Sequence, residues 1–491
     1  MNLKQKLYWS LPVVLFILQL IYTQNSLTQI RYEELAESVR NVFWLQNRTI
    51  YDGVSSNIGW YGTLLFLYNI FGFELNSAKY FRLFLSLISL FCLAGVLKKY
   101  LGWKSAIVPL IAIGLSPTIL FFNTLQTSYG LDIQYLFVVI YLLISLDYKK
   151  PVFDYFKQIL LWGLIMVAWM SYPTFIFYIP SLSIFYIWNI WKKLKHQKGK
   201  ILWNCLVSLM AFITPLIAGF LYVKDKQLLF YDQITKSGIF RGAGTLQFDM
   251  DLFWKNFTAL LADLFIKANS YYFDISTTDF SNFYPIISIL FILITGIILF
   301  IKSKKYHFSL FLIGLIILFD LIISNLTIDP SGSPGIRRHS AYLVCIYALF
   351  VIIWHFVDSL KFHPSSQVIK WLMIVILFLI PFHNFFAYFD NLANLPKSSV
   401  YRYPYFFNVK ETPEKSLDFI IQSLKLQESK IACKDEDNNL KTCRYSEIYP
   451  AIAGYCLWNN IECKNILGYD DKNKVYVPLN INLWEKYYFT H

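Results

Sequence analysis

Charge is what this chain lacks. Asp, Glu, Lys and Arg together make up 15% of its 491 residues, where a soluble domain carries about 25%. With 56% hydrophobic residues, 19% aromatic residues and a mean hydropathy of +0.45, a soluble fold would have no polar surface to present. Lipid is therefore the solvent for most of it. Several signatures are missing as well. There is no phosphate-cradling P-loop, no Gly-x-Gly-x-x-Gly after a strand and no His-Glu-x-x-His, so the motif-defined nucleotide and zinc-protease classes are excluded. The seven histidines are scattered, and no residues carry metal-ligand spacing. No internal repeat is evident, which weakens transporter architectures built from inverted halves.

Acids are scarcer than bases, 31 against 44, for a net charge of +13. The surplus is not a nucleic-acid footprint, and no RNA-binding motif accompanies it. The lysines fall in short loops between apolar runs: Lys98-Lys99, Lys149-Lys150, Lys192 to Lys200 and Lys302 to Lys305. That pattern marks cytoplasmic loops and attracts anionic lipid head groups.

The apolar runs predict about eleven transmembrane helices, each needing about 17–25 residues with flanks. They are Leu7–Tyr22, Leu83–Leu97, Ser105–Phe122, Ile133–Leu146, Ile159–Ser171, Thr174–Ile190, Ile201–Val223, Ile286–Ile301, Phe308–Ser324, Ala341–Val357 and Val368–Phe385. The short, glycine-bearing stretch Gly59–Gly72 begins with Trp60 and Tyr61 and is read as interfacial or re-entrant. Lys4 and Lys6 then share a side with the later lysines, placing the N-terminus in the cytoplasm and the C-terminus outside. The apolar run after Lys6 has no small-residue cleavage site and reads as a retained anchor.

Four outer regions follow from this topology: Thr23 to Arg82, Asn123 to Asp132, Lys224 to Tyr284 with the turn Arg241-Gly242-Ala243-Gly244, and Asn325 to Ser340. Two domains are expected. Residues 1–387 form the polytopic membrane domain and residues 388–491 a small soluble extracytoplasmic domain. Four of the seven cysteines, Cys433, Cys443, Cys456 and Cys463, lie in the latter. Their clustering outside the cytoplasm predicts two disulfides, with three pairings open. Zinc is disfavoured by the lack of a Cys-x-x-Cys spacing.

Chemistry has few places to reside. Glu33, Glu34 and Glu37 open a segment, Glu33 to Trp44, that suits an amphipathic helix on the outer leaflet, with Glu33 and Glu37 on one face and Glu34 about 100° away. A carboxylate at a half-dry interface is suited to accept a proton from a hydroxyl. Asp132 stands at the outer mouth of the fourth span, where it can be an N-cap, a functional acid, or both. Arg337 and Arg338, with His339 adjacent, follow a Pro/Gly turn on the outer side and form the best anion site in the chain. Asp320, inside the ninth span, must find a partner or stay protonated. It reads as an interhelical bond before a transport path.

Together these residues resemble the GT-C polyprenyl-phosphate-dependent glycosyltransferases, with protein O-mannosyltransferase-like and aminoarabinose-transferase-like enzymes nearest. The likeness is carried by Glu33-Glu34, Val39-Arg40-Asn41, Tyr51-Asp52-Gly53, Ile58-Gly59-Trp60-Tyr61-Gly62, Phe71-Gly72 with Ala78 and Arg82, and Leu115-Ser116-Pro117 followed by Asp132. It is good from Leu27 to Leu146 and thin afterwards. Counted back from Arg40, the family's acidic pair falls on Arg31-Tyr32, so Glu33-Glu34 is displaced by two and both remain open as the base. Arg337-Arg338-His339 resembles the late arginine–aromatic motif, with histidine for tyrosine.

The resemblance implies an all-α, GT-C-like polytopic fold in a bacterial cell membrane. It implies inverting transfer of a sugar from a polyprenyl-phosphate donor to a glycan, lipid or protein acceptor, with Glu33, Glu34 or Asp132 catalytic and Arg337, Arg338 and His339 on the donor phosphate. No cofactor or metal is demanded. The competing expectations are a transporter or flippase centred on Asp320 and the arginines, and a glycan polymerase or ligase.

Overall fold

The computed structural model describes residues 3–27, 29–31, 57–71, 77–123, 128, 130–146, 151–194, 198–225, 294, 296–301, 303–327, 340–359, 367–368, 371, 406–408, 433–434, 440–441, 467–470 and 475–478. Its main helices are α1 (Leu3–Leu27), α2 (Ile58–Phe71), α3 (Ser77–Leu101), α4 (Ile107–Gly114), α5 (Pro117–Asn123), α6 (Leu131–Ser145), α7 (Pro151–Ser171), α8 (Ile179–Leu194), α9 (Lys198–Asp225), α10 (His307–Thr327) and α11 (Ser340–Ser359). A 3₁₀ segment, Pro173–Tyr178, leads into α8. Among the described residues, strands are confined to three antiparallel pairs: β1 (Gln29–Arg31) with β2 (Phe406–Asn408), β3 (Cys433–Lys434) with β4 (Leu440–Lys441), and β5 (Leu467–Asp470) with β6 (Val475–Pro478).

Among the described residues, three stretches are long and apolar enough to cross a bilayer: Ser77–Leu101, Thr174–Leu194 and Ile201–Gly219. The chain is an integral membrane protein. α3 is its central post, with 56% of its apolar window buried in protein against 17% for α9 at the periphery. α3 packs on α1 and α6, α6 on α7, α7 on α9, and α10 on α11. α1 shows the inversion expected in lipid. Leu7, Val14, Ile17 and Ile21 face outward while Tyr8, Leu15 and Gln19 are buried.

The Gly59–Gly72 stretch is helical as far as Phe71, within α2. The 14 residues of this helix span about 21 Å at 1.5 Å per residue, short of a hydrocarbon core of about 30 Å. It packs on α7 so closely that a β-carbon at Gly59 would fall 2.8 Å from the Ser171 backbone nitrogen.

Two span boundaries differ from expectation for one reason. α3 begins at Ser77, so Ser77–Arg82 belongs to a helix and not to the first outer loop, and α7 begins at Pro151 instead of Ile159. Hydropathy stops at the charges Lys79, Arg82, Asp154 and Lys157, but the helices do not. Pro151 suits a first helical position, and Asp154 in the first turn favours the dipole.

The expected span Ser105–Phe122 is a correction. It is two short helices, α4 and α5, interrupted at Leu115-Ser116. Pro117 has no N–H to donate and its ring crowds the carbonyl four residues back. An interruption at membrane depth strands backbone groups, and these must be satisfied within protein. Gln19 of α1 does so, donating from Nε2 to the Gly114 carbonyl at 2.7 Å.

One end of the bundle gathers lysine and tryptophan. Lys98 sits over the Trp9 ring, Lys104 over Trp103, and Trp188 stacks near Trp191 and Phe308. The last carbonyls of α6, which a helix leaves orphaned, are met there by three side chains. Asn189 donates to Leu143, Lys99 to Ile144 at 2.6 Å, and Lys193 to Leu146.

A buried polar cluster at the opposite end of the bundle

The other end is built differently. α3 and α6 both begin there, α1 and α5 both end there, and the 3₁₀ segment turns the chain from α7 into α8. Gln134 of α6 donates to the Arg82 carbonyl of α3 at 3.4 Å, which sets their first turns side by side. The same Nε2 donates to Asn123 Oδ1 at 2.6 Å; Asn123 Nδ2 in turn donates to Ser86 Oγ at 3.1 Å and Gln19 Oε1 at 3.3 Å. Ser86 closes the chain on Gln19 Oε1 at 2.8 Å. Four helices are thus joined by one amide–hydroxyl network that ends on the carbonyl freed by the α4–α5 break.

Charge lies just beyond this network. Lys79 is 1% exposed, Arg82 0% and Asp132 0%. Burying such groups costs several kcal/mol each unless geometry compensates. Asp132 is compensated by hydroxyls. Thr174 Oγ1 donates to its Oδ2 at 3.2 Å and Tyr178 OH at 3.1 Å. One further buried polar atom at this end, Gln134 Oε1, makes no hydrogen bond.

The N-cap reading of Asp132 is corrected by the same geometry. Gly130 occupies the cap position with φ +76° and Asp132 lies inside the first turn. A side chain could not replace Gly130, because a β-carbon there would collide with the Phe122 ring. Asp132 is freed from capping and its carboxylate is turned to the 3₁₀ segment.

Asp320 is buried in α10 against Cys345 of α11, two turns from the end of its helix. Glu33, Glu34, Glu37, Asp52, the Arg241–Gly244 turn, and Arg337, Arg338 and His339 lie outside the described residues. So do Cys443, Cys456 and Cys463, and the side chain of Cys433. Cys92, Cys205 and Cys345 are free thiols. No group of three His, Cys, Asp or Glu side chains gathers at metal-binding range among the described residues.

Lys79, Thr174 and Tyr178 carry no functional expectation in the sequence, and Arg82 only a family likeness. The available signal was a Lys and an Arg three apart at the head of an apolar run, a placement that is costly in a membrane and marks function by default.

No family model and no curated protein matches the chain. Among solved structures it is similar to ArnT of Cupriavidus metallidurans bound to undecaprenyl phosphate. The identity is 10%, covering 92% of this chain and 74% of that one, with a TM-score of 0.47. Against the apo state of the same protein the identity is 13%, over 91% of this chain and 75% of that one, with a TM-score of 0.44. At this identity and score the likeness carries no argument about fold or function.

Proposed function

We propose that the chain is a membrane glycosyltransferase of the GT-C kind, moving a sugar from a polyprenyl-phosphate donor to an acceptor outside the cytoplasm with inversion. The observation that carries it is the buried Lys79, Arg82 and Asp132 gathered at one end of an apolar bundle. Two cations suit a lipid phosphate and would stabilise the charge left on it as the sugar departs. A carboxylate suits deprotonation of an acceptor hydroxyl. An apolar cleft of about 420 Å³ between α2, α7 and α9, lined by Gly59, Gly62, Gly163, Met166, Pro215 and Gly219, reaches Met170 beside this end. It is suited to a prenyl chain.

In this reading Glu33, Glu34 or Asp132 supplies the base, and Arg337, Arg338 and His339 join Lys79 and Arg82 around the phosphate. The lysine-rich end faces the cytoplasm of a bacterial cell by the positive-inside rule, and the polar end faces out.

The test is radiolabel transfer by the purified full chain from a panel of polyprenyl-phosphate sugars. Transfer is expected from at least one donor. Arg82→Met should raise the KM for that donor about 10–100-fold, the loss of a hydrogen bond to a charged group. Failure to transfer from any donor, together with failure to retain polyprenyl phosphate, would sink the proposal.

A further inference from the structure

The 3₁₀ segment delivers two hydroxyls to one carboxylate oxygen. It has to leave the α-helical path: α7 stops at Ser171, Tyr172 is extended with φ −147° and ψ 108°, and Pro173 opens the segment without an N–H to give. Positions 174 and 178 are then separated along the axis by about 8 Å, at about 2 Å per residue. A short side chain and a long one at that spacing can meet at a single point, whereas two short ones could not. Thr174 and Tyr178 are that pair, and the point is Asp132 Oδ2, at 3.2 and 3.1 Å. The Tyr178 ring is steadied edge-on by Phe175, with centroids 5.4 Å apart.

We infer that Thr174 and Tyr178 are positioning residues for Asp132. By holding one carboxylate oxygen they fix the plane of the group and so the direction in which Oδ1 works. The inference rests on the proposal that Asp132 meets the acceptor. Simple adhesion between α6 and the 3₁₀ segment is a poorer account. Two hydroxyls would hold a neutral amide at that position equally well, so adhesion alone does not account for a carboxyl group there. Lys79 and Arg82 at the head of α3 are the buried cations at the same end of the bundle, where Tyr135 of α6 meets Ser171 of α7.

The experiment uses the full chain in lipid nanodiscs with Tyr178→Phe, Thr174→Val and Thr174→Ser, and with Ser181→Ala as control. Ser181 donates to the Leu312 carbonyl and not to Asp132. Tyr178→Phe and Thr174→Val should each lower kcat about tenfold with donor KM changed less than about twofold. Thr174→Ser should restore kcat, and Ser181→Ala should not change it. A second readout needs no activity: the carboxylate infrared stretch of Asp132, isolated by subtracting the Asp132→Asn spectrum. It should shift in Tyr178→Phe and Thr174→Val and stay in place in Ser181→Ala. If the wild type transfers no sugar, the enzymatic proposal falls and takes this one with it; if it transfers sugar and the band does not shift, this one alone falls. An unshifted band, or unchanged kcat in both variants, overturns it.

Discussion

The two ends of the bundle handle charge in opposite ways. At the lysine end the basic groups sit on the rim, over aromatic rings or on the last carbonyls of α6. Each keeps water or headgroups within reach, so little desolvation is incurred and a cation beside a helix C-terminus gains a little. At the other end Lys79, Arg82 and Asp132 are wholly enclosed, where desolvation is steep and only specific partners offset it. The contrast teaches that number of charges is a poor guide to function in a membrane protein. Among the described residues the charges of the lysine end orient and cap, while the few at the enclosed end are those on which the proposed function rests.

Three tests by substitution would break or sharpen that contrast. The largest effect is expected from acids at opposite ends. Asp132→Asn should lower sugar transfer about 10²–10⁴-fold, the worth of a lost general base, while Asp358→Asn, whose carboxylate accepts from Ser105 at the lysine end, should leave transfer within about twofold. Equal losses in the two would erase the distinction. Next comes Gln19→Leu, which strips the Gly114 carbonyl and Ser86 of their partner. A stability loss of about 1–3 kcal/mol per orphaned group is expected, read by thermal unfolding in detergent, with transfer retained by the folded fraction. The smallest effect belongs to Lys99→Met with Lys193→Met. About 0.3–1 kcal/mol each should be lost at the α6 C-terminus, and transfer should be unchanged. A collapse of activity there would mean that the rim takes part in the chemistry.

The sequence was readable where hydropathy and tertiary structure agree. α8 to α11 begin and end within a few residues of the apolar runs, since Asp320 is the one charge inside those runs and it does not end its helix. It was misleading where they part. The run through Ser116-Pro117 is apolar enough to be read as one continuous helix, and Pro117's missing donor breaks it in two, with Gln19's distant amide meeting the Gly114 carbonyl at the break. Lys79 and Arg82 were assigned to a loop because enclosure of a charge is a tertiary fact, invisible to a window average. Asp132 stood out as an acid at a helix mouth. Its role could not be told from that of a cap until Gly130 was seen to hold the cap position, with Phe122 filling the space a side chain would need. Thr174 and Tyr178 look like ordinary members of an aromatic span. Their meaning comes from a 3₁₀ geometry that Pro173 makes locally and that only the partner on α6 makes chemical.

The pairing of β1 with β2 has a temporal consequence. Gln29 meets Asn408, Ile30 meets Phe407 and Arg31 meets Phe406, so the strand that leads straight from α1 toward Glu33 and Glu34 is hydrogen-bonded to chain made roughly 380 residues later. At about 5–20 residues per second, a ribosome needs about 20–75 s to supply the partner. Throughout that interval the edge of β1 is exposed as a pairing template, and every helix between must already have been inserted. The arrangement makes closure of this strand pair a late event in biogenesis, and a nascent chain halted before Phe406 would carry the earlier membrane helices without it.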